Sequence, residues 1–140
     1  MKTYIMSSLF LILTVFSTFK MKAQEMGKSK NNYVVLTTKV PQLQPIILTA
    51  QALKEEEGEA FGDFQVIICG KDIGQITDHE KINIFIEKAE TSGVQIIACG
   101  FSLNKFKVNQ SKIPASIKVV ENGILYNFQL QKKGYKSLSL

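Results

Sequence analysis

Two segments of this chain carry nearly the same text: Gln65-Val66-Ile67-Ile68-Cys69-Gly70 and Gln95-Ile96-Ile97-Ala98-Cys99-Gly100 stand thirty residues apart. Each is a short, almost unbroken apolar run ending in a cysteine and a glycine. A strand with one face in water alternates apolar and polar residues. A run with so little alternation suits a strand covered on both faces, as inside a parallel sheet flanked by helices. Both segments are therefore expected to be buried strands that solve the same burial problem and meet a glycine-assisted turn.

The residues around them fit that frame. Tyr33-Val34-Val35-Leu36 predicts a first strand, ended by Pro41. Pro45 suits the first turn of a helix carried by Ile46, Ala50 and Leu53 through the acidic run Glu55 to Glu57, and Gly58 stops it. The second strand is read as Phe64 to Cys69. Thr77-Asp78-His79-Glu80 has the form of a capping box. The helix after it sets Ile82, Phe85, Ile86 and Ala89 on one face and Lys81, Glu87, Lys88 and Glu90 on the other, until Gly93. Val94 to Cys99 is the third strand. Ser102 is expected to cap a short helix through Lys107, and Ile117 to Val120 follows Pro114 as a fourth strand. A last helix with Ile124, Leu125 and Phe128 as its buried stripe closes at Gly134, and Tyr135 to Leu140 is the fifth strand. Alternation of strand and helix argues for a parallel sheet with right-handed crossovers. The polar residues Lys118, Lys136, Ser137 and Ser139 assign the fourth and fifth strands to its edges.

Residues 1–23 read as a cleavable signal peptide, with Lys2, an apolar stretch from Ile5 to Phe19 diluted by hydroxyls, and Ala23 before the cut. The stretch is shorter and less apolar than a spanning helix requires, so no membrane span is expected after cleavage. Residues 24–32 read as a flexible arm and 33–140 as one α/β domain. Export places the protein in a bacterial periplasm or outside the cell. Loss of Lys2, Lys20 and Lys22 takes the formal charge from +5 to +2. The basic residues are all lysine, so the planar fork that clamps phosphates bidentately is missing. With no tryptophan and no basic stripe interleaved with aromatics, nucleic-acid binding is not expected. His79 is the sole histidine and is read as a surface residue at a helix start; no metal site and no cofactor are expected.

Chemistry is then expected at the carboxyl ends of the strands, where ligands sit in open parallel sheets. Both cysteines fall there. Cys99 is the sharper candidate, because Gly100, Phe101 and Ser102 lead straight into a helix whose N-terminal dipole favours a thiolate. Lys105 and Lys107 add positive charge nearby, and with Ser102 they form the candidate binding set. Cys69 is the candidate resolving thiol. The competing reading makes both cysteines packing residues, since free cysteine is among the most buried side chains. Their separation depends on strand order. Direct pairing of the second and third strands sets them about 4.8 Å apart, within disulfide range, whereas an intervening first strand doubles that to about 9.6 Å. Direct pairing is expected, because the second strand is too apolar to serve as an edge.

The segments Tyr33-Val34-Val35-Leu36-Thr37, Gly93-Val94-Gln95-Ile96-Ile97-Ala98-Cys99-Gly100-Phe101-Ser102-Leu103 and Gln129-Leu130-Gln131-Lys132-Lys133-Gly134-Tyr135-Lys136 resemble the DsrE/DsrF-like family of small sulfur-handling proteins. The resemblance runs from Tyr33 to Leu140. It implies a three-layer α/β sandwich around a five-stranded parallel sheet, homo-oligomers, and a cysteine that carries sulfur as a persulfide, which by position is Cys99. The export signal departs from the cytoplasmic sulfur-relay members, so the partners differ from theirs. The leading expectation is an exported sulfur-transfer protein taking sulfane sulfur from a donor and passing it to an acceptor. Its rival is a non-catalytic envelope module that binds a ligand or partner and keeps its cysteines for packing.

Overall fold

Five strands form one all-parallel sheet in the order β4-β3-β2-β1-β5, with β1 Asn31–Thr37, β2 Phe61–Ile68, β3 Val94–Cys99, β4 Lys118–Val120 and β5 Lys136–Ser139. The structure, a computed structural model, describes residues 30–140. The expected leader and most of the expected arm lie outside them, and β1 already begins at Asn31, two residues before the strand start read from sequence. Among the described residues four α-helices alternate with the strands: α1 Leu43–Glu57, α2 His79–Ser92, α3 Gly100–Lys105 and α4 Gly123–Lys132. None of the described helices is long and apolar enough to cross a membrane.

The chain steps from β1 through β4 in one direction and then returns across the sheet to place β5 beside β1. Right-handed crossovers made in opposite directions put their helices on opposite faces. Accordingly α1 packs where Phe64 and Val35 point, with Ile46 beside them, and α2 packs on α1 and β3. The other face takes α4, whose start lies against Ile67 and Cys69. Because successive strand residues alternate in direction, Phe64 and Ile67 cannot share a face. The result is a three-layer sandwich. β4 and β5 are its edges, and every residue of β5 is exposed. β2 and β3 are flanked on both sides, which is why Phe64, Val66, Ile67, Ile68, Ile97 and Ala98 are fully or almost fully buried.

Three local readings of the sequence are corrected here. Asp78, not Thr77, caps α2: its carboxylate accepts from the Lys81 N–H, while the Thr77 hydroxyl donates to Gly74 at 2.8 Å within a 3-10 turn over Lys71–Thr77. That turn buries Ile73 and Ile76 and so delays the helix by one residue. Cys99 occupies the N-cap position of α3 with no side-chain cap, Ser102 lies inside the helix, and it ends at Lys105, just before the positive φ of 54° at Lys107. α4 is turned around. Ile124, Leu125 and Phe128 are 57, 55 and 56 % exposed, and the buried residues are Gly123, Asn127 and Leu130. The sheet beneath α4 is partly polar, so the helix docks by small and hydrogen-bonding groups: the Tyr126 hydroxyl donates to Gln65 at 2.9 Å, and Asn127 accepts from Ser137 at 3.0 Å.

Candidate functional site

β2 and β3 pair in parallel register up to Ile68 and Ala98, so the next residue on each strand is a cysteine. The side chains of Cys69 and Cys99 both point to the α4 face and meet the same backbone there. A Cβ placed on Gly123 would lie 2.7 Å from the Cys69 sulfur, 2.8 Å from Ile67 and 3.0 Å from Cys99 Cβ. Only glycine permits that approach. It brings the Gly123 N–H to 3.2 Å from the Cys99 sulfur, to which it donates. Asn122 caps the next two free groups, accepting from Ile124 N–H at 3.0 Å and Leu125 N–H at 3.2 Å. The positive end of a ten-residue helix is thus aimed at a buried sulfur.

Neighbouring loops hold the pair in place. Gly100 is flush against the exit of β4, with room for no side chain, since a Cβ would come within 2.9 Å of the Val120 carbonyl. The following N–H, of Phe101, donates to Glu121 at 2.8 Å. After Cys69 the chain turns at Gly70, whose φ is 83°, and the Gly70 N–H donates to the Ser102 hydroxyl at 3.0 Å. The Cys69 N–H donates to Thr37 at 2.9 Å.

These contacts give the two thiols opposite character. Burial pushes the Cys99 thiol up, but the Gly123 N–H, the nearby Ser102 hydroxyl and N–H, and Cys69 outweigh it and leave Cys99 below the ordinary thiol value. Burial pushes Cys69 up, and the facing Cys99 sulfur pushes it further, to about 12. The same surroundings favour the thiolate form of Cys99 and the protonated form of Cys69. Both are free and nearly enclosed, at 3 % exposure for Cys99 and 7 % for Cys69. They sit in a cleft of about 510 Å³ that also takes in Leu36, Thr38, Phe101, Phe106, Asn122 and Ile124. A second cleft, of about 400 Å³, lies at the other end of β3 around Val94, Gln95, Glu90 and Lys118 and contains no thiol.

The residues expected from sequence divide accordingly. Cys69, Cys99 and Ser102 come together. Lys105 lines the cleft but is exposed, with its ammonium 5.8 Å from the Phe106 ring centre. Lys107 is exposed and lies outside the cleft lining. Neither lysine is a source of the Cys99 shift; the Gly123 N–H, the Ser102 groups and Cys69 are. His79 is on the surface, with Nε2 2.9 Å from the Lys112 carbonyl. Sequence reasoning passed over Asn122 and Gly123, although an asparagine cap followed by a glycine is the signal of a helix start that approaches something closely.

No family model matches the chain, and no curated protein matches it in sequence. Among solved structures, the chain is similar to MTH1491 from Methanobacterium thermoautotrophicum, with a TM-score of 0.62 at 12 % identity over 79 % of this chain and 100 % of that one. It is also similar to BT1422 from Bacteroides thetaiotaomicron, with a TM-score of 0.58 at 20 % identity over 78 % of this chain and 95 % of that one. Both are described as proteins of unknown function, and the likeness shows a shared α/β fold.

Proposed function

We propose that this protein is an exported carrier of sulfane sulfur in which Cys99 is the carrying residue. The observation that supports this most is the Gly123 N–H, at the start of α4, donating to a buried Cys99 sulfur at the floor of a cleft. A packing cysteine has no use for such a donor, whereas a nucleophilic thiolate does. The Cys99 thiolate attacks the outer sulfur of a donor persulfide, the donor's sulfur–sulfur bond breaks, and the donor thiolate leaves. The persulfide on Cys99 then passes its outer sulfur to an acceptor in the same way. The resemblance to the DsrE/DsrF-like family supports the same chemistry at the same residue, and residues 1–23 support a periplasmic or secreted location.

Protein with Cys69 replaced by serine, incubated with inorganic polysulfide, is expected to gain the mass of one sulfur atom on Cys99, and the same protein with Cys99→Ser added is expected to gain none. Absence of that gain from protein with Cys69 replaced by serine, where nothing else can remove the sulfur, overturns the reading.

A specific feature also favours partner binding. Ile124, Leu125 and Phe128 form one exposed stripe on α4, and Phe101 and Phe106 continue it around the cleft. Together they amount to on the order of 500 Å² of apolar surface, at the upper end of what a monomer leaves in water. We propose that a second copy of the chain covers this stripe and walls the cleft mouth.

A further inference from the structure

Carriage by Cys99 alone leaves the second thiol without a role, yet its placement is specific. The register of β2 and β3 sets Cys69 and Cys99 side by side at the ends of two directly paired strands. Adjacent strands lie about 4.8 Å apart, inside the Cα separation of about 4.4–6.8 Å that a disulfide spans. Both side chains leave the same face of the sheet and both lie against Gly123. The backbone is tied down on each side, through Thr37 to Cys69 and through Glu121 to Phe101. Closure therefore asks for side-chain rotation within a fixed frame.

We infer that Cys69 discharges the sulfur held on Cys99, closing a Cys69–Cys99 disulfide and releasing hydrosulfide. The inference rests on the carriage reading above. In this step the Cys69 sulfur supplies the electron pair of the new sulfur–sulfur bond to Cys99 Sγ. The bond from Cys99 to the sulfane sulfur breaks, its electron pair leaves with that sulfur, and the Cys69 proton goes with it to give hydrosulfide. An external dithiol then reduces the disulfide by exchange and is itself oxidised to a disulfide, which restores both thiols. The timing is built into the pair. While Cys99 is a thiolate, burial and the facing charge keep Cys69 protonated, so it does not compete for the donor. Once Cys99 carries sulfur, the charge no longer sits on Sγ and Cys69 loses that part of its restraint.

The test uses reduced wild type, Cys69→Ser, and Cys69→Ala as a second variant without the hydroxyl, each checked for an unchanged unfolding transition. Each is treated with inorganic polysulfide, cleared of excess reagent, and followed by hydrosulfide release and by intact mass after thiol alkylation. Wild type is expected to release hydrosulfide and end two hydrogen atoms lighter, with no alkylatable thiol. The Cys69 variants are expected to keep one extra sulfur on Cys99 and release hydrosulfide ~10-fold more slowly or worse. Equal retention of the extra sulfur by wild type and variants overturns the discharge and leaves carriage intact. No extra sulfur on any Cys69 variant overturns carriage itself. A parallel arm with glutathione disulfide reads the pair without sulfane sulfur: wild type is expected to expel glutathione and close the bridge, and a stable glutathione adduct on wild type overturns the pairing.

Discussion

Gly123 shows how much a residue without a side chain can decide. Replacing it by alanine sets a methyl group against the Cys69 sulfur and Ile67, neither of which can retreat, so the start of α4 must move outward. The Gly123 N–H then leaves the Cys99 sulfur, the largest contribution that opposes burial there is lost, and the Cys99 thiol rises. Gly123→Ala is expected to slow alkylation of Cys99 near neutral pH by ~10-fold and to shift its pH–rate profile to higher pH. An unchanged profile would show that the helix start does not set the thiolate. Little of this was legible in advance. The cysteines and Ser102 stood out because their chemistry is carried by side chains, and Lys105 and Lys107 drew notice as the nearest charges. The largest group that lowers Cys99 is a backbone N–H, that of Gly123, which carries no side-chain chemistry to draw notice.

At the level of elements, the outward stripe of α4 is the feature most exposed to test. A helix with Ile124, Leu125 and Phe128 on one side reads as a helix with its core face there, and the last helix was expected to pack that way. Hydropathy ranks side chains by their cost in water. It does not register that a sheet face bearing Gln65 and Asp63 prefers Asn127 and the hydroxyls of Tyr126 and Tyr135. If a second copy covers the stripe, changing Leu125 and Phe128 together to asparagine removes the reason to associate. Because both are more than half exposed in the single chain, stability should change little. Sedimentation is expected to show an oligomer for wild type and a monomer for the double variant at the same concentration. A wild type that sediments as a monomer defeats the self-association reading. The strands were easier. β3 begins and ends at the residues read from its apolar run, Val94 and Cys99, with Gln95 as its one exposed residue.

For the molecule as a whole, strand order followed from one argument about water: β2 is too apolar to be an edge, so it lies between β1 and β3. That placement made the two cysteines neighbours. The same compactness fixes the behaviour in alkali. Tyr33 is raised to about 12 by its hydrogen bond to Glu57, Tyr135 to about 12 by burial and its hydrogen bond to Asp63, and Cys69 to about 12 by burial and the facing Cys99. In each case the folded chain holds its proton more tightly than the unfolded chain. Their contributions are therefore complete below the ordinary values of 9.0 for the thiol and 10.0 for the phenols, and are lost as the pH rises through about 12. Melting temperature is expected to fall across that window, and less steeply in Tyr135→Phe, which has no phenolic proton to lose. A flat response between those limits would contradict the assignment.

The bond from the Gly70 N–H to the Ser102 hydroxyl ties the segment after one cysteine to the helix after the other, and Gly123 arrives from a third part of the chain. The reactivity of Cys99 is therefore not a local trait of the text around it. Copied into another scaffold, Cys99-Gly100-Phe101-Ser102 would bring the Ser102 groups but leave behind the Gly123 N–H, the largest contribution that opposes burial. Within this protein the lowered Cys99 thiol lasts only while three distant stretches stay assembled, so the rate at which Cys99 meets an electrophile doubles as a gauge of how often α4 lifts from the sheet.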